Sequence, residues 1–132
     1  MKTIQLHSEP QNIAQVEAFV EELRDLYNIG DDAYGNILIS LTEAANNAII
    51  HGNKTDKNKK IEISCVPDDR GKSLTFFVKD EGQGFDYNNL PDPTTPENID
   101  QPCGRGVFLM LQLADLVVFS NKGATVEMQF RI

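Results

Sequence analysis

The chain has 132 residues, the size of one domain, and its 40% hydrophobic content is enough for one core without a metal or a disulfide. Its 12 basic and 20 acidic residues give a net charge of 12 − 20 = −8, which argues against non-specific binding to nucleic acid or to an anionic membrane. No apolar run is long enough for a transmembrane helix or a signal peptide, and the two separated cysteines, Cys65 and Cys103, favour a reduced, cytoplasmic location.

Hydrophobic periodicity and turn residues predict eight elements. In chain order these are a strand over 3–7, a helix from about 8 to 27, a helix from about 31 to 52, strands over 60–66 and 73–79, a helix over 107–114, and strands over 116–120 and 124–130. Ser8 is expected to cap the first helix, and Asp31 or Asp32 the second. The order predicts an α+β fold, a two-layer sandwich with helices on one face of a mostly antiparallel sheet, in a single domain.

The second predicted helix carries a narrow polar seam. At about 100° per residue, its members fall in an arc roughly 80° wide between apolar flanks. They are Asn36, Ser40, Glu43, Asn47 and His51. A solvated face is the simple alternative, but solvated faces are usually broad and rich in Lys and Glu. Glu43 and Asn47 lie one turn apart, so their oxygens can converge on one site, and such hard ligands suit Mg²⁺.

A carboxylate and two glycines follow the strand over 73–79. Asp80 stands at the strand end, and Gly82 and Gly84 form a Gly-x-Gly after it. This arrangement places an acceptor beside backbone that a ligand can approach closely. An ordinary turn with an exposed Asp is the alternative, and the motif lacks the third glycine and the strand–turn–helix order of a dinucleotide fingerprint.

A third candidate site is Gly104-Arg105-Gly106, expected at the mouth of the helix over 107–114. A helix N-terminus offers free N–H groups and a favourable dipole to phosphate, and Arg105 adds a cation with fork geometry. A plain loop-to-helix joint with a surface arginine is the alternative. No P-loop motif is present.

The ordered set of a carboxylate–amide helix, an Asp-x-Gly-x-Gly loop, a long irregular segment and a Gly-rich helix start resembles the Bergerat-fold (GHKL) ATPases. Within that superfamily it is most similar to the bacterial anti-sigma-factor serine/threonine kinases. The stretch TEAANNAIIHG at 42–52 resembles the N box of that family almost throughout. The resemblance covers essentially the whole chain.

The resemblance implies a role for each matching residue. Asn47 would coordinate Mg²⁺ at the ATP phosphates, and Glu43 would be the catalytic base that activates the attacking hydroxyl. Asp80 would accept a hydrogen bond from the adenine amino group, with Gly84 giving close approach to the ring. The remaining nucleotide-binding residues implied are Gly82, Gly104, Arg105, Gly106 and Thr125.

The resemblance also implies a mobile lid over residues 88–103, but this segment departs from what strong phosphate contacts require. Residues 90–103 are acidic, with no Lys or Arg, and four prolines stiffen them. The lid therefore favours an alternative in which the domain binds ATP and docks onto a partner without phosphorylating it.

Three hypotheses follow. The leading one is an ATP- and Mg²⁺-dependent serine/threonine protein kinase that phosphorylates a small anti-sigma-factor antagonist and so regulates a sigma factor; the resemblance also implies a homodimer. The second is the docking module. The third, an acidic domain without nucleotide, requires all three site motifs to coincide by accident.

Overall fold

The structure is a computed structural model that describes residues 1–82 and 102–132. The helices are α1 (Ile13–Tyr27), α2 (Asp31–Asn47) and α3 (Pro102–Leu113), and the strands are β1 (Lys2–His7), β2 (Lys60–Pro67), β3 (Ser73–Lys79), β4 (Leu116–Ser120) and β5 (Thr125–Arg131). The described residues also contain two 3₁₀ turns (Pro10–Asn12, Asn121–Gly123) and a π-helical turn (Ala48–Gly52). No helix of the described part has both the length and the apolar character needed to cross a bilayer.

The five strands form one sheet in the order β1-β2-β3-β5-β4, and every neighbouring pair is antiparallel. Each strand alternates, so that one face is apolar: on β2 the buried residues Ile61, Ile63 and Cys65 are two positions apart. The helices cover this face, with α2 in contact with β3, β5 and both other helices. The predicted two-layer α+β sandwich is confirmed.

The core lies between α2 and the middle of the sheet. Phe76 on β3 is opposite Met128 on β5, and its ring meets that of Phe130 edge-to-face at 5.9 Å between centroids. Cys65 is also part of this core, and burial raises the pKa of its thiol to about 12. Cys65 therefore stays protonated and serves packing rather than chemistry.

The predicted helix caps are wrong. The Oγ of Ser8 donates to the Lys59 carbonyl at 2.9 Å, and the Ser8 N–H donates to the same oxygen at 3.0 Å. The Ser8 hydroxyl therefore bonds to the residue just before β2 instead of capping the helix. The N-cap of α2 is Gly30 with no side-chain cap bond, because Asp31 lies inside the helix, where it accepts from Arg24 at 2.6 Å.

Two predicted helix boundaries also differ. α3 begins at Pro102, five residues before the predicted start. Gly104 to Gly106 therefore lie inside its first turns rather than in front of its N-terminus. The α-helical part of α2 ends at Asn47, and the chain widens into a π-helical turn in which the Asn53 N–H donates to the Ala48 carbonyl at 2.8 Å. Such turns are rare and frequently lie at functional sites.

Candidate functional site

Glu43 and Asn47 lie one turn apart on α2 and face the backbone of α3 at Gly106. A methyl group built on Gly106 would lie 3.0 Å from Glu43 Oε2 and 3.1 Å from Asn47 Nδ2. Both distances are tighter than ordinary van der Waals contact, so only a glycine leaves these side chains undisturbed. The structure therefore brings Glu43, Asn47 and Gly106 together.

Two buried side chains of α2 have polar atoms without a partner in the part of the chain that the structure describes. Asn47 is 6% exposed and Ser40 is 0% exposed, and neither Asn47 Nδ2 nor Ser40 Oγ makes a hydrogen bond there. Buried donors are rarely left unpaired, because such a group loses its bonds to water and gains none. Asn47, beside Gly106, is therefore suited to a ligand with polar atoms.

The seam predicted on α2 is a buried feature rather than a solvated face. Ser40 and Asn47 are buried, and Asn36, Glu43 and His51 are half-buried. A solvated face would place at least some of these side chains fully in water.

Asp80 follows β3 at the other end of the candidate site. Its backbone N–H donates to the Ala124 carbonyl at 2.9 Å, which ties the end of β3 to the start of β5. Its carboxylate Oδ1 accepts from the N–H of Gly82 at 2.8 Å. Burial raises the pKa of Asp80, although the Gly82 bond and the positive charge of Lys59 act in the opposite direction. The carboxylate is thus half-buried at a cost in stability.

Gly52 and Gly82 pack against the same turn. A methyl group on Gly52 would collide with the Asp80 carboxylate, and one on Gly82 would collide with the Gly52 carbonyl. Position 82 therefore requires glycine, and a side chain at position 52 would displace the Asp80 carboxylate. The sequence pattern identified Gly82, but it identified Gly52 only as the end of a helix, since nothing in the local pattern predicts a contact with Asp80.

Asn47 and Asp80 both line one narrow slot. Its cavity is about 10 Å³, room for one water molecule. Its walls are Ala44, Asn47, Ala48, Val78, Asp80, Met110, Phe119, Gly123 and Val126. The slot is thus apolar along its length, with the Asp80 carboxylate and the Asn47 amide as its polar groups. This is the usual composition of a small-molecule site, although a ring system needs the walls to separate.

The other predicted site residues are Thr125, Gly104, Arg105 and Gly84. Thr125 is buried but is not part of the slot wall, and its Oγ1 accepts from Asn121 Nδ2 at 3.0 Å. Gly104 and Arg105 are in the first turn of α3, where backbone N–H groups have no partner within the helix. Gly84 and residues 88–101 of the predicted lid lie outside the described residues, as does the side chain of Arg105.

Asn53, which lies between the predicted helix ending at about 52 and the predicted strand over 60–66, is 1% exposed and donates and accepts hydrogen bonds next to the Asp80 turn. No periodicity marks it, because two of its partners, Ser8 and Glu81, lie far from it in the sequence. Its buried position was therefore beyond prediction from local sequence.

Comparison with known proteins assigns this fold to a class. The sequence profile of the histidine kinase-like ATPase domain matches residues 6–130. The chain belongs to this family.

Two kinds of relative are similar over much of the chain. The chain is 37% identical over 105 residues to serine-protein kinase RsbW of Bacillus subtilis, covering 74% of this chain and 64% of that protein. It is 32% identical over 126 residues to the anti-sigma F factor of Geobacillus thermodenitrificans, covering 91% of this chain and 77% of that protein. The chain thus spans slightly less than two thirds of the Bacillus kinase. The resemblance to anti-sigma-factor kinases is confirmed.

Proposed function

We propose that the chain is an ATP-dependent serine/threonine protein kinase that phosphorylates a small anti-sigma-factor antagonist and thereby regulates a sigma factor by partner switching. The family and the printed names of the relatives support this. The observation that carries it is that Glu43, Asn47 and Gly106 lie together, and that Asn47 and Asp80 line the same slot.

The Asp80 end is suited to adenine. A half-buried carboxylate accepts the hydrogen bond of the exocyclic amino group, while Gly52 and Gly82 keep the turn free of side chains. Val78, Met110 and the other apolar walls would contact the faces of the ring. The slot must widen for this, and Met110 is the wall residue whose unbranched side chain adapts most readily.

The Asn47 end is suited to a magnesium–phosphate group. The described residues contain no cluster of three His, Cys, Asp or Glu side chains that could hold a metal alone. Asn47 would therefore share the cation with phosphate oxygens, an arrangement that Mg²⁺ commonly adopts. The cation would neutralise charge on the phosphates, and the N–H groups of the first turn of α3, including those of Gly104 and Arg105, would bind phosphate oxygens.

Glu43 is the proposed base. Its carboxylate would accept the proton of the attacking serine or threonine hydroxyl, whose oxygen bonds to the γ-phosphorus as the bond from that phosphorus to the β–γ bridging oxygen breaks and ADP leaves. Phosphoryl transfer depends mainly on positioning and charge neutralisation, so one oriented carboxylate beside the bound phosphates is enough protein chemistry. Glu43 would contact the reacting atoms, whereas Asp80 would contact only the base. A substitution of Glu43 can therefore remove phosphoryl transfer while ATP binding remains, which a substitution of Asp80 cannot.

The test is transfer of phosphate from γ-labelled Mg-ATP into proteins of the native lysate. The wild-type chain should label one small protein on serine or threonine, and Glu43→Gln should label none while still binding ATP. Glu17→Gln removes the same charge from an exposed position on α1 and should label as the wild type does. Wild-type labelling by Glu43→Gln would refute the assignment of the base.

A wild-type chain that binds ATP but labels no protein would favour the docking module. In that case the chain would regulate its partner through the nucleotide-bound shape alone. The homodimer and the cytoplasmic location predicted from the sequence stay predictions.

A further inference from the structure

The amide of Asn53 joins three segments of the chain, and no step of the proposed reaction uses it. Its Nδ2 donates to Ser8 Oγ at 2.7 Å and to the Lys60 carbonyl at 3.1 Å, and its Oδ1 accepts from the Glu81 N–H at 2.7 Å. With 1% of its surface exposed, the side chain has both donor hydrogens and its acceptor occupied. Asn53 thus links the ends of β1 and α2, the start of β2 and the residue that follows Asp80.

The bond to Glu81 fixes the peptide group directly after Asp80, because the Glu81 N–H belongs to that peptide plane. The next peptide is fixed as well, since the Gly82 N–H donates to Asp80 Oδ1 at 2.8 Å. Gly52, the neighbour of Asn53, packs against the Asp80 carboxylate itself. The end of the π-helical turn therefore supports the Asp80 turn through one hydrogen bond and one close backbone contact.

We propose that Asn53 is a positioning residue for recognition of the nucleotide base: by holding the Asp80 turn it sets the preference for adenine over guanine. The inference rests on the proposed function, which assigns Asp80 to the amino group of adenine. Guanine presents a carbonyl oxygen at the equivalent ring position, and a carboxylate repels it. Discrimination of this kind depends on a fixed acceptor, because a turn free to move could withdraw the carboxylate from the wrong base.

The experiment measures the dissociation constants of Mg-ATP and Mg-GTP by calorimetry for the wild type, Asn53→Ala and Ser8→Ala. Ser8→Ala is the matched control. It removes the contact from Asn53 Nδ2 and the Ser8 bond to the Lys59 carbonyl, but it leaves the bond from Glu81 N–H to Asn53 Oδ1. Both variants remove hydrogen bonds from the same buried network. Only Asn53→Ala removes the bond to the Glu81 N–H that holds the Asp80 turn.

Asn53→Ala should reduce the ratio of ATP affinity to GTP affinity about tenfold, the effect of one buried hydrogen bond on an equilibrium. Ser8→Ala should keep that ratio within about twofold of the wild type, although both variants should unfold at lower urea concentration. A purely structural role would lower stability in both variants and leave the ratio unchanged in both.

An unchanged ratio in folded Asn53→Ala would overturn the inference, as would an equal loss in Ser8→Ala. Where Asn53→Ala does not fold, hydrogen exchange of the Glu81 amide in the wild type and in Ser8→Ala replaces it. If the Glu81 amide exchanges at least about tenfold more slowly than a free peptide in both proteins, the result supports the hold of Asn53 on the Asp80 turn. Exchange at the rate of a free peptide overturns it. A wild type that binds no Mg-ATP would refute the proposed function itself, a result distinct from these.

Discussion

At the scale of single residues, Asp80 is a carboxyl group held half-buried at the expense of stability, and we propose that it binds the nucleotide base. Its carboxylate is half-buried, and burial raises its pKa. The sequence identified Asp80 and Gly82 because an acidic residue and a glycine at a strand end are local signals. It could not identify Gly52 or Asn53 as their support, because those contacts join residues about 30 positions apart.

Gly52→Ala should lower ATP affinity at least about tenfold, because the added methyl group displaces the Asp80 carboxylate that it would otherwise strike. Calorimetric titration with Mg-ATP measures the loss. Gly30→Ala is the control, since a methyl group there meets no atom within 4 Å and should leave the affinity unchanged. Full affinity in Gly52→Ala would show that the carboxylate does not bind the nucleotide.

Asp80→Asn should make the nucleotide-free protein more stable than the wild type at neutral pH. A pKa raised above the ordinary value of 3.8 means that the fold favours the uncharged acid, so the wild type loses stability as pH rises through the raised pKa. The advantage of Asn should therefore be present at about pH 7, shrink as pH falls through the raised pKa, and be gone below the ordinary value of 3.8. Urea unfolding of both proteins at about pH 7 and at a pH below 3.8 measures this difference in stability.

Asp68→Asn is a control for which we expect the opposite change in stability. Burial acts to raise the pKa of Asp68, but hydrogen bonds from the N–H groups of Lys72 and Ser73 prevail and lower it. The folded state thus favours the charged form, and this contribution is lost as pH falls through the lowered pKa. Asp68→Asn should therefore be less stable than the wild type at neutral pH. The same sign in both variants would contradict this account of the two carboxyl groups.

At the scale of elements, α2 carries Glu43 and Asn47, and its π-helical continuation contacts the Asp80 turn. Its last α-helical turns hold Glu43 and Asn47, and its π-helical continuation brings Gly52 and Asn53 under the Asp80 turn. The 3.6-residue period predicted the helix and its polar seam. It could not predict the π-helical turn, because a change from i−4 to i−5 hydrogen bonding has no pattern of its own in the sequence.

Gly35→Ala should stabilise the protein by about 0.5–1 kcal/mol, because glycine inside a helix loses more backbone freedom on folding than alanine does. Gly35 lies in α2, and a methyl group built on it meets no atom within 4 Å. Urea unfolding measures the gain, and the affinity for Mg-ATP should not change. A loss of stability would mean that Gly35 has a contact or conformation that the structure does not show.

At the scale of the whole molecule, the sequence predicted the class of fold because alternation and helical spacing are strong in every element. The strand order β1-β2-β3-β5-β4 was not predicted, since it depends on pairing between distant segments. The start of α3 at Pro102 was also missed, because Gly104 and Gly106 are poor helix formers. The packing of α3 against Glu43 and Asn47 of α2 leaves little room for a side chain at 106, which accounts for Gly106 inside a helix.

The central claim is that Asp80, the slot and the Glu43–Asn47 pair form one site for Mg-ATP. Calorimetric titration of the wild type, Asp80→Ala and Asn47→Ala with ATP, each with and without Mg²⁺, tests it most directly. The account predicts micromolar binding by the wild type, severe loss in Asp80→Ala under both conditions, and loss in Asn47→Ala of the part that depends on Mg²⁺. Unchanged binding in both folded variants, or no binding by the wild type, would contradict it.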